Sequence, residues 1–322
     1  MTRTILKFGI ALLVGLIAAG VLYERLGEQE DRKRYPQVGR SISIGDRTLN
    51  LYCSGVGAPA VIFESAGHTA GYSWVNIQEE TAKFTQACWY DRAGLGWSDP
   101  GPSPRTFRAI AQDLHDLLRA AAIPGPYVLA GATAGAFHVR VYNGMFPGEV
   151  AGAVLIHATD PEAIERESKD MKGALGSMPR FVQKLGCAVL APVVLNVGLL
   201  RLMGNPGAGR PYGLANLSAD QQRELIFLST YPGTVQTEGE GCELDEDMGE
   251  VRAAGNFGSR PLYVLAGPAP FRSAELNEYW VRELQPHLAG LSTNAHLILK
   301  EGAEDPAAVV QAVHDVIRSL VP

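Results

Sequence analysis

The segment Gly131-Ala132-Thr133-Ala134-Gly135 constrains this chain more than any other. It follows an apolar run, Tyr127-Val128-Leu129-Ala130, and leads into a stretch where Val139, Tyr142 and Phe146 recur at helical spacing. Glycines at both ends with a hydroxyl residue between them mark a nucleophile elbow, a sharp strand-to-helix turn that pushes one side chain into a cleft. Threonine holds the central position, where serine is usual.

The rest of the chain keeps the same rhythm. Ser41–Ile44 and Thr48–Cys53 read as a hairpin around Gly45-Asp46. Ala60–Glu64, Ala87–Tyr90, Tyr127–Ala130, Ala153–Ile156, Leu262–Ala266 and His296–Leu299 complete the set of strands. Phe107–Ala122 is helical, with Ile110, Leu114, Leu117 and Ala121 on one face, and Pro306–Leu320 is a closing helix with proline in its first turn. Strands alternating with helices predict a mostly parallel sheet covered on both faces. The rhythm breaks between Ile156 and Leu262. An apolar helical run there, Phe181–Met203, is followed by the Gly/Pro-rich stretch Gly204–Gly213 and a second helix near Asp220–Leu228. This reads as a helical cap inserted over one end of the sheet. Lys184, Asn196 and Arg201 interrupt the apolar run and argue against a membrane span there. The 322 residues fit one large domain with an insertion, and a net charge of −6 without a basic stripe excludes nucleic-acid binding.

At the N-terminus, Arg3 and Lys7 accompany a run that is otherwise apolar from Ile5 to Tyr23. That is a signal peptide or a signal anchor. Ala18-Ala19-Gly20 offers a cleavage site, but the polar run Glu24–Arg34 reads better as a juxtamembrane stalk behind an uncleaved anchor. Arg25 and Arg32-Lys33-Arg34 blur the positive-inside count. Four cysteines permit two disulfides in an exported chain, and so place the globular part in the periplasm or outside the cell. Cys53 ends one predicted strand and Cys88 begins another, so the two meet if those strands are antiparallel neighbours. Cys187 and Cys242 would then staple the insertion. Four buried free thiols are the other reading.

From about Gly39 to its end the chain resembles the α/β-hydrolase superfamily, in particular its membrane-anchored or secreted bacterial members. Glu64-Ser65-Ala66-Gly67 stands where the family has its oxyanion loop. Asp91-Arg92-Ala93-Gly94-Leu95-Gly96-Trp97-Ser98 looks like its D-x-x-G-x-G-x-S turn, whose polar groups would hydrogen-bond a tight loop. Pro104-Arg105-Thr106, the elbow and Asp160-Pro161 follow in the family's order. The resemblance implies an α/β-hydrolase fold: an eight-stranded, mostly parallel sheet with helices on both faces and a helical cap. The domains would be an anchor (1–24), a linker (25–39), the core (40–161 and 258–322) and the cap (162–257).

The family's reaction needs a nucleophile, a base, an orienting carboxylate and two N–H donors for the oxyanion. By resemblance the donors are the backbone N–H groups of Gly67 and Ala134, and Thr133 stands at the nucleophile position. A β-branched residue has a restricted χ1 and suits a strained elbow poorly. The base is missing from its usual place, because the loop after the last strand, Lys300–Pro306, contains no histidine. His296 lies at the other end of that strand, and His314 is roughly 12 Å along the closing helix. The tip of the strand ending at Ile156 carries His157 where an aspartate is frequent, and Gly267-Pro268-Ala269-Pro270 offers no carboxylate. A rearranged set of Thr133, His157 and Asp160, with His68 nearby on the oxyanion loop, is the one constellation left. His115, His138 and His287 need no special role. The acidic cluster Glu238–Asp247 lacks a calcium-loop pattern and reads as a solvated loop.

Three departures from one catalytic set favour a membrane-tethered protein without catalysis, binding a small, partly apolar ligand or a protein partner. No cofactor or metal is expected. The alternative is an ester or amide hydrolase that uses Thr133 with a rearranged base.

Overall fold

The computed structural model describes residues 2–102, 104–171, 196–202, 216–230, 244–268, 273–303 and 305–320. Most of the apolar run Phe181–Met203, the stretch Gly204–Gly213, Cys187, Cys242 and the side chains of the acidic cluster lie outside the described residues.

Eight strands form one sheet: β1 (Arg40–Ser43), β2 (Thr48–Ser54), β3 (Val61–Glu64), β4 (Ala87–Tyr90), β5 (Tyr127–Ala132), β6 (Val150–Ile156), β7 (Leu262–Ala266) and β8 (Ala295–Leu299). Their order is β1-β2-β4-β3-β5-β6-β7-β8. Only β2 runs against its neighbours, and β4 through β8 are parallel. Strands β3, β4 and β5 are buried along their whole length, as strands covered on both faces must be. The described helices are α1 (Thr2–Arg34), α2 (Val75–Thr81), α3 (Phe107–Ala120), α4 (Gly135–Met145), α5 (Pro161–Met171), α6 (Leu199–Leu202), α7 (Ala219–Thr230), α8 (Leu244–Ala253), α9 (Ala274–Tyr279), α10 (Gln285–Ala289) and α11 (Pro306–Ser319). A π turn, Trp280–Leu284, joins α9 to α10.

Two apolar cores lie on the two faces of the sheet. Ile110, Leu114 and Leu117 of α3 meet Val139 and Tyr142 of α4 and Val251 of α8 on one face. Val309, Val313 and Val316 of α11 pack with Ile77 of α2 and Leu225 of α7 on the other. The start of α3 is fixed by Thr106, whose hydroxyl accepts from Ala109 N (3.3 Å), a cap worth about 1 kcal/mol. Cys53 and Cys88 are direct partners in the antiparallel β2–β4 register and are joined by a disulfide.

The N-terminal apolar run is helical and, over Lys7–Arg34, long and apolar enough to cross a membrane. The polar run behind it differs from a free stalk. Residues 24–34 continue α1 without a break. Glu24, Glu28 and Asp31 recur on one helical face, and Arg201 of α6 reaches both Glu24 (3.0 Å) and Asp31 (2.6 Å). Tyr35, just beyond α1, is buried and stacks on Phe227 of α7 at 6.0 Å. Glu24 and Asp31 thus serve a partly buried contact with the segment around Arg201, while Glu28 pairs with Arg25 and Arg32 within α1.

Candidate active site

The elbow is where β5 turns into α4. Thr133 has φ 49°, a left-handed backbone that costs a β-branched residue about 1–3 kcal/mol. Its N–H donates to Ile156 O (2.9 Å), and its carbonyl accepts from Ala136 N (3.1 Å), so the strained turn is held from both sides. The flanking glycines are required by close approach. A Cβ on Gly131 would lie 2.6 Å from Gly135 O, and a Cβ on Gly135 would lie 2.5 Å from Glu64 O and 2.7 Å from Ser65 O. The first turn of α4 therefore rests directly on the backbone of Glu64 and Ser65, where the chain leaves β3.

Thr133 and Ala134 are half-buried. Among the described residues, none hydrogen-bonds Thr133 Oγ1, and neither Gly67 N–H nor Ala134 N–H has an acceptor. Gly67 has φ 26° in the turn closed by Thr69 N–H donating to Ala66 O (2.9 Å), and His68 is exposed at that turn.

His157 is the next residue after Ile156 on the strand beside the elbow. It too has a left-handed backbone, φ 48°, with its N–H donating to Leu265 O (2.7 Å). Its half-buried ring packs on Trp280, with centroids 4.8 Å apart. Asp160 is buried at the start of α5. Its Oδ1 accepts from Ala163 N (2.7 Å), and Tyr279 OH donates to both carboxylate oxygens (3.4 and 3.3 Å). This carboxylate caps α5 and is anchored from α9. Burial pushes it above the ordinary range, with Ala163 N–H and Tyr279 pulling back.

His296 and His314 are elsewhere. His296 is exposed on β8 and stacks on Tyr263 at 4.6 Å, and His314 stands edge-on to Phe84 at 5.1 Å. After β8 the chain turns at once. Lys300 N–H donates to Ala266 O, Ala303 N–H to Lys300 O and Asp305 N–H to Gly302 O, and α11 begins at Pro306. Among the described residues no group of three His, Cys, Asp or Glu side chains is placed to hold a metal ion.

Beneath the elbow lies a polar cluster that sequence reasoning passed over. Glu64, the last residue of β3, is buried and accepts from Arg92 Nη1 (2.7 Å) and Tyr90 OH, with His138 Nδ1 3.0 Å from its Oε1. Arg92 Nη1 also donates to Ser65 O (2.9 Å). Burial alone would push the Glu64 carboxyl up. The hydrogen bond and charge of His138, the charge of Arg92 and the Tyr90 hydroxyl outweigh it and hold the group below its ordinary value. The signal was in the sequence: an acid closing the apolar strand Val61-Ile62-Phe63-Glu64 must find partners when buried. Asp91, beside it, secures the glycine-rich turn. It accepts from Gly71 N (2.8 Å), Trp97 N (3.1 Å) and Asn50 Nδ2 (2.9 Å), while its carbonyl accepts from Ser98 Oγ (2.6 Å). These contacts make the turn a structural element.

No family profile matches this chain. It is 29% identical over 110 residues to an uncharacterized vacuolar membrane protein of Saccharomyces cerevisiae, a stretch covering 33% of this chain and 17% of that protein. It is 27% identical over 162 residues to an uncharacterized protein of Schizosaccharomyces pombe, covering 50% of this chain and 28% of that one. The chain thus spans less than a third of the length of these fungal relatives. Among solved structures, a laboratory-evolved variant of potato epoxide hydrolase superposes with a TM-score of 0.68 at 15% identity, over 87% of this chain and 98% of that one. The epoxide hydrolase CorEH gives 0.61 at 14% identity over 87% and 98%, and the enol-lactonase from Burkholderia xenovorans gives 0.54 at 13% identity over 87% and 100%. At such identities the likeness is one of architecture, and the architecture, an eight-stranded mostly parallel sheet with an elbow after β5, is the α/β-hydrolase fold.

Proposed function

We propose that this protein is a membrane-tethered member of the α/β-hydrolase fold that binds a ligand or partner in its cleft without turning it over. The observation that carries this reading is the isolation of Thr133 Oγ1: among the described residues none hydrogen-bonds it, and the loop Lys300–Pro306 holds no histidine. An alcohol nucleophile needs a base within about 2.6–3.2 Å, or through one water. The free N–H groups of Gly67 and Ala134 suit a carbonyl or carboxylate of a partly apolar small molecule, or a chain segment of a protein partner. The disulfide Cys53–Cys88 fits an oxidising compartment and so supports a globular part on the periplasmic or extracellular side of the membrane that holds α1.

The second reading is a hydrolase built from Thr133, His157 and Asp160. The observation in its favour is that Thr133 N–H bonds Ile156 O, which makes His157 a neighbour of the elbow. Against it, Asp160 is already engaged by Ala163 and Tyr279. The deciding experiment is hydrolysis of short-chain nitrophenyl esters by the purified full chain. We expect no turnover above a Thr133→Ala control. Turnover that Thr133→Ala abolishes would establish the hydrolase instead.

A further inference from the structure

The cap meets α1 inside the apolar run of that helix. Ile5–Tyr23 carries one charge, Lys7, and its nineteen residues span about 28 Å as a helix. A bilayer's hydrocarbon core is about 30 Å thick, with a polar boundary of several ångströms on each side. The C-terminal boundary of the run is Tyr23 followed by Glu24, an aromatic ring and then the first acid. Gly20 lies one helical turn, about 6 Å, on the apolar side of that point. There the cap's Val197 carbonyl presses so close that a Cβ on Gly20 would sit 2.5 Å from it. Gly198 then turns with φ 67°, and a Cβ on it would come within 2.8 Å of Tyr23 Cδ1. From here α6 climbs along α1. Arg201 forks onto Glu24 and Asp31, lying so flat that a Cβ on Gly27 would be 2.5 Å from its Nε. The outward side chains of α6 are apolar: Leu199 is 42% exposed and Leu202 73%.

We propose that the cap segment Val197–Leu202 is itself seated in the headgroup–acyl boundary of the bilayer that holds α1. Three observations commit the occupant to lipid. The contact at Gly20 is deeper than the end of the apolar run, so a bilayer that accepts α1 reaches the cap. Leu199 and Leu202 are exposed on the segment that packs against α1, and Leu22 and Leu26 of α1 are exposed as well. The one charge of the segment, Arg201, is turned away from that surface onto α1 acids, the arrangement an interfacial segment needs. The cap thus lies on the membrane and does not hang above it. This inference rests on the membrane tether of the proposed function and goes beyond it.

The test uses the full chain in phosphatidylcholine vesicles with plain or brominated acyl chains. Leu202→Trp adds a fluorophore at an exposed site that tolerates it. Leu199→Trp repeats the measurement, and Val56→Trp adds one on the loop between β2 and β3, at the sheet end remote from the elbow. For a side chain seated about 5–10 Å deep, brominated lipid is expected to reduce the added emission at 202 and 199 by about twofold or more. Emission added at 56 should be unchanged. Vesicle-bound protein whose added emission at 202 and 199 is unquenched, whether those residues face water or a second copy, overturns the seat of the cap and leaves the tether standing. A chain that does not float with vesicles overturns both.

Discussion

His138 Nδ1 lies 3.0 Å from Glu64 Oε1, and through that contact the helix that leaves the elbow is fastened to the end of β3. Arg92 completes the fastening, since one Nη1 donates to both the Glu64 carboxylate and Ser65 O. Glu64 and Arg92 side chains are 2% and 1% exposed, so neither charge is stable there alone. Glu64→Gln is expected to destabilise the fold by about 3–5 kcal/mol, the usual cost of stranding one partner of a buried pair. The pH dependence has a definite sign. Glu64 is held below its ordinary 4.5 in the folded state, so the unfolded chain binds the proton more readily. Its stabilising contribution is complete above 4.5 and is lost as pH falls through the lower folded value. Urea unfolding from pH 7 to pH 3 should show the wild type converging on Glu64→Gln only below 4.5. A constant difference across the range would mean that the carboxylate's charge is not what matters.

Gly135 tests how tightly the elbow is packed. A methyl there meets two backbone carbonyls, at 2.5 and 2.7 Å, and backbone yields less readily than a side chain. Gly135→Ala should cost about 1–3 kcal/mol by overpacking. Gly148 has open space around its missing Cβ, and Gly148→Ala should stay within about 0.5 kcal/mol. Thermal melts of the two variants make the comparison, and equal melting temperatures would refute the close packing.

Thr133 combines a left-handed φ of 49° with a hydroxyl that no described residue bonds. Side-chain strain without a compensating contact should be removable. Thr133→Gly is expected to raise stability by about 1 kcal/mol, because glycine takes this φ without a Cβ penalty. Thr133→Ser tests the chemistry separately. It restores an unbranched hydroxyl but supplies no base, so nitrophenyl-ester turnover should stay at the level of Thr133→Ala. Recovery of turnover in the serine variant would show that a base is within reach after all.

The strand set, the elbow and the β2–β4 cysteine pair were legible because each rests on local pattern: period, glycine spacing and strand register. The sequence also showed the missing histidine after β8, since an absence in a short loop needs no geometry. What it concealed are contacts between distant segments. Glu64 closes an apolar strand and so needs partners, but His138 is 74 residues away and nothing local names it as one. The polar run 24–34 looked like a stalk because the pairs it can make locally, Glu28 with Arg25 and Arg32 and Glu30 with Lys33, leave Glu24 and Asp31 without a cation in view. Their cation, Arg201, is 170 residues away from Asp31 and had read only as an interruption in an apolar helix.

That same arginine supplies the last prediction. Arg201 donates to Glu24 Oε1 and Oε2 (3.0 and 3.2 Å) and to Asp31 Oδ2 (2.6 Å), bridging two turns of α1 from one side chain. Glu24 is nearly buried, so Arg201→Ala leaves an acid without its cation next to the cap. The expected loss is about 2–3 kcal/mol, felt locally where α6 docks on α1 rather than in the sheet. Hydrogen exchange of the full chain in detergent should speed up in Leu199–Leu202 and Ala219–Thr230 and remain unchanged in β5 and β6. Arg201→Lys should recover only part of the protection, because an ammonium cannot fork across two carboxylates in the way a guanidinium does. Full protection in Arg201→Ala would mean that packing of Val197 and Gly198 on Gly20 and Tyr23 holds the cap to α1 without the ion pairs.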